Sequence, residues 1–236
     1  SSSWMVNYFP NAFTLQNYVD VFAGARKIQP FFNSTILALA AAGFGLCVAL
    51  PSSFIIVKQK WRIKWLIEFL VMLPWAIPPS AIAINLINAF NRPSIFSLNA
   101  VLVGTAILLP IGYVVRSLPI MVKTMNVSFQ NLNDSLIDAS KSLGASSLHT
   151  FRRIVLPIIF PGVLAGFLIV FIRSIGEYTI SVFLYNASNK PMSIAMVNAV
   201  FEYNLGLTMA YGALLILLTF GLSAFVSTVL RVSIRA

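Results

Sequence analysis

Five long apolar stretches, separated by short polar loops, constrain the fold of this chain more than any other feature. They cover about residues 31 to 57, 64 to 90, 98 to 122, 154 to 175 and 207 to 230. A helix needs about 20 mostly apolar residues to cross a hydrocarbon core of roughly 30 Å. Lipid offers no hydrogen bonds to the backbone, so a spanning segment must satisfy its own polar groups. The sequence therefore predicts an all-α, polytopic membrane protein with five transmembrane helices and lipid around it.

The composition agrees with a membrane protein and excludes a nucleic-acid partner. Hydrophobic residues make up 58% of the chain and charged residues 9%, whereas soluble domains carry about 25% charged residues. The formal net charge is +10, but the basic residues fall in short loops between the apolar stretches. They form no continuous basic segment of the kind that binds nucleic acid.

The basic residues also predict how the chain is oriented, because cytoplasmic loops carry an excess of Lys and Arg. If the loop from 58 to 64 is inside, ten basic residues lie inside and four lie outside. The ten are Lys58, Lys60, Arg62, Lys64, Lys123, Lys141, Arg152, Arg153, Arg231 and Arg235, and the four are Arg26, Lys27, Arg92 and Lys190. We therefore expect the long polar loop after residue 124 and the C-terminus to be cytoplasmic.

That long loop is predicted to contain two short helices. Leu132, Leu136, Ala139 and Leu143 recur at helical spacing, which indicates an amphipathic helix over 134 to 143 on the membrane surface. Gly144 suits the turn after it, because glycine reaches positive φ without steric cost. Ser146 is placed to cap the second helix. Ser135 and Asp138 form a candidate capping box, and in that interpretation the carboxylate serves only the local helix start.

The loop also carries a recognisable spacing. It contains Asp138-Ala139-Ser140, three residues, Gly144, nine residues, Ile154, one residue and then Leu156-Pro157. This pattern resembles the coupling loop of permease subunits of binding-protein-dependent bacterial ABC importers of the type I fold. Their usual pattern has Glu at the first position and Ala at the third, so this loop is a variant. The residues that the resemblance assigns to ATPase coupling are Asp138, Ala139, Ser140, Leu143, Gly144, Ala145, Ser146, Ile154, Leu156 and Pro157.

The resemblance implies the partners and a range of cargoes. In that family the loop docks into a cleft of a cytoplasmic ATPase. It implies a second permease subunit, identical or homologous, two ATPase subunits and an external solute-binding protein, all at a bacterial plasma (inner) membrane. The segment Arg173-Ser174-Ile175-Gly176-Glu177-Tyr178 and residues 203 to 211 resemble the ferric iron, polyamine and phosphonate grouping. The implied cargo is ferric iron or another small polar solute, such as a polyamine or phosphonate.

The chain itself is predicted to be a transport subunit and not an enzyme. It lacks the Gly-x4-Gly-Lys-Ser/Thr phosphate loop, so we expect ATP and Mg to be bound by the partner ATPase and no cofactor by this chain. One His and one Cys offer no metal site. The alternative is a secondary transporter or channel subunit without an ATPase partner, which intramembrane acids and inverted repeats would favour.

Polar residues and prolines near the apolar stretches are candidates for the translocation path and for a hinge. Intramembrane charges are costly and are functional candidates by default. Asn85, Asn88, Arg173 and Glu177 are the path candidates, and the spacing of Arg173 and Glu177 predicts a local ion pair on one helix face. Arg116 is expected to extend toward the cytoplasm. The proline cluster predicts a hinge at Pro74, Pro78 and Pro79.

These predictions divide one transmembrane domain, 1 to 236, into four parts. The parts are an external segment (1 to 30), the first three transmembrane helices (31 to 124), the cytoplasmic coupling loop (125 to 156) and the last two helices with an external loop (157 to 236). Residues 191 to 203 are too short to cross and suit a surface or re-entrant helix. Since nothing within residues 1 to 30 would carry them outside, we expect a sixth helix before them.

Overall fold

The fold is all-α. A computed structural model of the protein describes residues 14 to 235, and the side chains of residues 14 to 228 apart from Phe96; the described residues form no strand. The first thirteen residues of the predicted external segment lie outside this part. The α-helices are α1 (Gln16–Ala23), α2 (Ala25–Lys58), α3 (Lys64–Met72), α4 (Pro79–Phe90), α5 (Leu108–Gln130), α6 (Asp134–Ser142), α7 (Ser147–Thr150), α8 (Leu156–Ile175), α9 (Ser181–Leu184), α10 (Met192–Phe201) and α11 (Leu205–Arg235).

Three helices, α2, α5 and α8, form the core of the bundle. The buried face of α2 is built from alanines, including Ala38 and Ala42, which pack with Met121 of α5 and Phe171 of α8. Small residues let membrane helices approach closely and gain van der Waals contact. Helix α8 approaches α5 closely at Gly162, where a Cβ atom would lie 1.7 Å from the Ser128 Oγ atom. Glycine at this position therefore sets the distance between α8 and α5.

Within the described residues, four helices are long and apolar enough to cross a membrane. They are Ala25–Lys58, Leu108–Gln130, Ser147–Ile175 and Leu205–Thr228. Each overlaps one of the predicted spans. Large apolar side chains such as Phe44 and Phe220 are exposed on the outside of the bundle, where lipid would surround them.

The predicted span from 64 to 90 is not one straight helix. Its two halves, Lys64–Trp75 and Pro79–Phe90, meet at 111°. Pro78 has an extended backbone, with ψ of 140°, because the ring of a following proline disfavours the α conformation. The break therefore falls at the predicted proline cluster, while the role of that cluster as a moving hinge stays a prediction.

The predicted start of the third span is also wrong. Helix α5 begins at Leu108, ten residues after the expected start, and continues to Gln130. The preceding residues form turns, and Leu98, Asn99 and Gly104 all have positive φ. A right-handed helix cannot pass through residues in the left-handed region. The apolar composition of this segment therefore predicted a helix where the chain forms turns.

The bundle has two chemically distinct ends. At the loop end (residues 59 to 63 and 131 to 150), the Lys58 ammonium group lies 2.6 Å from the Asp134 carboxylate. At the opposite end (residues 91 to 107 and 185 to 190), Asn33 donates to the Lys190 carbonyl at 3.0 Å. Helix α10 has ten residues, too few to cross a membrane, which confirms the prediction of a short helix between 191 and 203.

Candidate functional site

The predicted two-helix loop forms a sharp corner made of α6, a tight turn and α7. Helix α6 (Asp134–Ser142) ends one residue before its predicted end. Its N-cap is Asn133, whose side chain accepts a hydrogen bond from the Ser135 backbone N–H at 3.0 Å. The capping box expected from Ser135 and Asp138 is therefore wrong. The helix starts earlier than that box requires, so Ser135 already lies inside its first turn.

The turn between the two helices depends on glycine. Gly144 has a φ of +81°, a conformation that costs other residues roughly 1–2 kcal/mol. Its backbone N–H donates to the Lys141 carbonyl at 2.9 Å, and the next amide donates to the Ser140 carbonyl at 3.1 Å. Ser146 then caps α7 by accepting from the His149 backbone N–H at 3.3 Å, as predicted. These bonds fix the angle between α6 and α7.

Ser140 lies inside the corner instead of on its surface. The residue is buried, and its hydroxyl is 2.9 Å from the Thr150 hydroxyl. Thr150 also donates to the Ser146 carbonyl at 3.1 Å. Ser140 therefore joins α6 to α7 across the turn, so its contribution to any docking is to hold the shape of the corner.

The outer surface of the corner combines an exposed leucine with small and polar residues. The Leu143 side chain is 88% exposed, and Asp138, Ala139 and Gly144 are exposed beside it. The Asp138 carboxylate lies 4.0 Å from the Lys141 ammonium group on the same helix. A concave face of about 710 Å³ runs along the corner and includes Ala145 and Ile154. Exposed apolar residues rimmed by polar ones mark surfaces that bind proteins.

The corner is continuous with the membrane-spanning bundle. Ile154 lies in a π-helical turn, Phe151–Val155, that joins α7 to α8, and Leu156-Pro157 open α8. Proline fits there because the first amides of a helix need no partner within it. The hydrophobic cluster of Phe129, Leu132, Val155 and Ile159 fastens the corner to α5 and α8. A force on the corner would therefore reach the spanning helices directly.

The path candidates lie apart from the corner. Asn85 and Asn88 are exposed on α4, and Arg173 is exposed near the end of α8. The predicted ion pair between Arg173 and Glu177 is wrong. Helix α8 ends at Ile175 and Gly176 is its C-cap, so the two side chains do not share a helix face. Whether Asn85, Asn88 and Arg173 line a path stays a prediction.

Glu177 instead belongs to a buried network that the sequence did not reveal. Its carboxylate forms an ion pair with Arg116 of α5 and accepts from the Ile180 backbone N–H at 3.0 Å. The expectation that Arg116 extends to the cytoplasm is therefore wrong. The Glu177 carbonyl accepts from Ser193 at 2.8 Å and from Ser181, whose hydroxyl lies 2.6 Å from the Tyr113 hydroxyl. We call these six residues the Glu177 network.

The bundle and its corner define a polytopic α-helical membrane protein with a polar two-helix projection at one end. Residues 31–236 match the family described as "Binding-protein-dependent transport system inner membrane component", and the chain belongs to this family. The resemblance inferred from the loop spacing is thus confirmed. The fold and the family assignment also agree on a multi-pass, all-α membrane domain.

Curated relatives share the sequence over most of this chain. The probable ABC transporter permease protein y4fN of Sinorhizobium fredii is 39% identical over 84% of the chain, and the ferric transport system permease protein FbpB of Actinobacillus pleuropneumoniae is 31% identical over 94%. The matches cover 35% and 32% of those proteins, so the chain spans about a third of their length. A probable sulfate permease of Marchantia polymorpha (31%) and a spermidine/putrescine permease of Haemophilus influenzae (26%) match 71% and 74% of the chain.

Solved structures share the fold. An inward-facing MetNI methionine ABC transporter superimposes with a TM-score of 0.71 at 16% identity, covering 87% of this chain and 95% of that one. A bacterial ABC transporter that imports alginate superimposes with a TM-score of 0.73 at 16% identity, covering 95% of this chain and 85% of that one. At this identity the likeness concerns the fold alone.

Proposed function

We propose that the chain forms the permease part of an ATP-driven importer, in which the α6–α7 corner receives the movement of a cytoplasmic ATPase. The observation that carries the proposal is the corner itself. It presents Leu143 almost fully to solvent beside small residues, on a backbone fixed by Gly144 and by the bond between Ser140 and Thr150. A rigid knob with an apolar tip fits a cleft on another protein. ATP and Mg belong to that ATPase, and this chain hydrolyses nothing.

The proposed mechanism is alternating access. Closure of two ATPase subunits pulls on two corners, one from this permease and one from a second, identical or homologous permease domain. Each corner passes the movement to α8, because Ser147–Ile175 behaves as one continuous helix. Core contacts carry it onward to α2 and α5. The 111° break between α3 and α4 gives the bundle a place to bend at the proline cluster.

The orientation proposed for the chain follows from the same mechanism. The loop end and the C-terminus are cytoplasmic, because the ATPases are there. The opposite end, with α10 and residues 91 to 107, then faces a solute-binding protein outside the plasma membrane. The excess of Lys and Arg at the loop end supports this orientation, as does the family's dependence on binding proteins.

Ferric iron is the cargo we propose. The ferric relative matches 94% of this chain, whereas the sulfate and spermidine relatives match 71% and 74%. The second candidate cargo is a small polar ion of the sulfate or polyamine class. The sulfate relative (31% identical) and the spermidine/putrescine relative (26% identical) favour it. The local resemblance at Arg173 to Tyr178 supports the ferric iron, polyamine and phosphonate grouping.

Copurification tests the ATPase partnership. The full-length protein that contains these residues is isolated from its native membrane in mild detergent as wild type, Leu143→Asp and Leu98→Asp. Leu98 is a matched control, because it is 93% exposed at the opposite end and aspartate tolerates its left-handed backbone. We expect the ATPase with wild type and Leu98→Asp, and its loss with Leu143→Asp. An ATPase absent from all three samples would instead support the secondary transporter or channel.

Transport assays test the cargo. The assembled complex is placed in lipid vesicles with its binding protein, and uptake of labelled ferric iron, sulfate and spermidine is compared with and without ATP. We expect ATP-dependent uptake of ferric iron only. ATP-dependent uptake of sulfate or spermidine in its place would retain the importer mechanism and reject the cargo.

A further inference from the structure

A second polar cavity lies at the loop end, away from the α6–α7 corner. It has a volume of about 490 Å³, and the polar and aromatic residues in its wall come from α3 and α5. These residues are Lys64, Trp65, Glu68, Lys123, Asn126 and Gln130. Cavities of this size hold small ligands or parts of larger ones. None of these residues belongs to the coupling corner or to the path candidates.

The charges in the cavity wall favour an anion. Lys64 and Lys123 supply two ammonium groups, whereas Glu68 supplies one carboxylate. Glu68 lies 3.3 Å from the Lys123 ammonium group. An ammonium group has three N–H donors, so this ion pair leaves donors on Lys123, while Lys64 keeps all of its own for another partner. The wall therefore offers a net positive charge and several donors.

Asn126 adds a mostly buried amide to the wall of the cavity. The residue is only 6% exposed, and its Oδ1 atom has no hydrogen-bond partner within the described part of the chain. The Oδ1 atom is closed off from the cavity, so the ammonium groups of Lys64 and Lys123 define the ligand, and they need an anionic acceptor.

The surroundings of the cavity indicate that its occupant comes from the bilayer. Trp65 in its wall is 69% exposed, and Trp61 in the loop before α3 is 59% exposed. The Lys64 ammonium group lies 5.5 Å from the centre of the Trp65 ring. Exposed tryptophans and lysines gather at the level of lipid head groups. Basic pockets between transmembrane helices bind anionic head groups at this level.

We propose that the cavity binds the head group of an anionic phospholipid, such as phosphatidylglycerol. The phosphate oxygens accept from Lys64 and Lys123. Trp65 packs against the glycerol backbone at the membrane surface. The bound lipid thereby links the start of α3 to the second half of α5. This site goes beyond the proposed transport function and does not depend on it.

Native mass spectrometry of the full-length protein tests the site. The protein is titrated with phosphatidylglycerol or phosphatidylcholine of the same acyl chains. We expect phosphatidylglycerol to bind about tenfold more tightly and the double variant Lys64→Gln/Lys123→Gln to lose that preference. The matched control is Lys60→Gln/Arg62→Gln, which removes two positive charges from the same end but leaves the wall of the cavity intact. Equal loss in both double variants would overturn a built site and leave only general attraction of charge.

Two further comparisons separate the chemistry of the occupant. Phosphatidylmethanol has the same charge but no free hydroxyl, so wild type should bind it as tightly as phosphatidylglycerol if the lysines recognise the phosphate. Displacement of the lipid by millimolar inorganic phosphate would identify free phosphate as the ligand and reject the lipid. Lys64→Gln alone, with a thermal denaturation midpoint equal to wild type, serves if the double variant fails to fold. A wild-type protein that binds phosphatidylglycerol and phosphatidylcholine equally would contradict the proposal.

Discussion

The α6–α7 corner and the Glu177 network differ in how far apart their interacting residues lie along the chain. The Ser140 and Thr150 hydroxyls that hold the corner are ten residues apart. Arg116 and Glu177 are 61 residues apart, and Tyr113 and Ser181 are 68 apart. The corner is exposed and the network is mostly buried. The comparison shows that contacts close in sequence hold the corner, whereas the bundle depends on a few distant polar contacts.

Removing the carboxylate of Glu177 should give the largest effect on stability. In Glu177→Ala, Arg116 keeps its charge inside the bundle but loses its partner, and breaking a buried ion pair costs 3–5 kcal/mol. The Arg116 side chain is 26% exposed, so we expect a loss near the lower end, about 3 kcal/mol. Thermal denaturation in detergent, followed by size-exclusion chromatography, measures the loss.

The double variant Arg116→Met/Glu177→Met provides the control for that experiment. It removes both charges, so it should lie much closer to wild type than Glu177→Ala does. An unchanged denaturation midpoint in Glu177→Ala would show that the network does not hold α5 to the segment after α8. The contrast between a corner held by local contacts and a bundle stabilised by distant polar contacts would then fail.

Replacing Gly144 with alanine should strain the backbone of the turn without causing a side-chain clash. A Cβ atom at Gly144 meets nothing within 4 Å, but its φ is +81°. Gly144→Ala should therefore cost roughly 1–2 kcal/mol at the turn and weaken recovery of the ATPase without unfolding the bundle. Gly43→Ala is the matched control, because its Cβ is equally free and its φ is not positive. If both variants bind the ATPase as wild type does, the turn is not what presents Leu143.

The contrast also explains what the sequence could predict. The corner was predicted nearly to the residue, because helical periodicity, a glycine turn and a serine cap are all local signals. Four of the five predicted spans correspond to helices long enough to cross, and the fifth is the bent pair of α3 and α4. The start of α5 was misplaced because left-handed Leu98 and Asn99 are not visible in an apolar composition. The partner of Arg116 could not be predicted, since it lies on another part of the chain. The nearest sequence signal of the network is the helical spacing of Tyr113 and Arg116, which puts both on one face of α5.

Tyr113→Phe should give a moderate loss within the same network. The substitution keeps the ring among buried neighbours and removes only the hydroxyl that lies 2.6 Å from the Ser181 hydroxyl. A single hydrogen bond contributes roughly 1 kcal/mol, so the denaturation midpoint should fall less than in Glu177→Ala. Ser181 also bonds the Glu177 carbonyl, and Ser181→Ala should therefore cost more than Tyr113→Phe. If Tyr113→Phe costs more than Ser181→Ala, the main contact of Ser181 is with the Tyr113 hydroxyl and not with the Glu177 carbonyl.

The smallest expected effect distinguishes the two possible caps of α6. Asn133→Ala removes the side chain that accepts from the Ser135 backbone N–H and should cost about 1 kcal/mol of local helix stability. Ser135→Ala leaves that bond in place, because only the Ser135 backbone takes part, so it should cost nothing measurable. Hydrogen exchange of the α6 amides in the folded protein reports this local difference, which a global denaturation curve would not show.

A result in which Ser135→Ala accelerates exchange and Asn133→Ala does not would restore the capping box with Asp138 and move the start of α6. Such a change would also alter how Asp138 is presented, because its carboxylate would then face the helix start instead of solvent. The recovery of the ATPase with Ser135→Ala would fall in that case, whereas the cap at Asn133 leaves docking by Asp138 and Leu143 independent of Ser135.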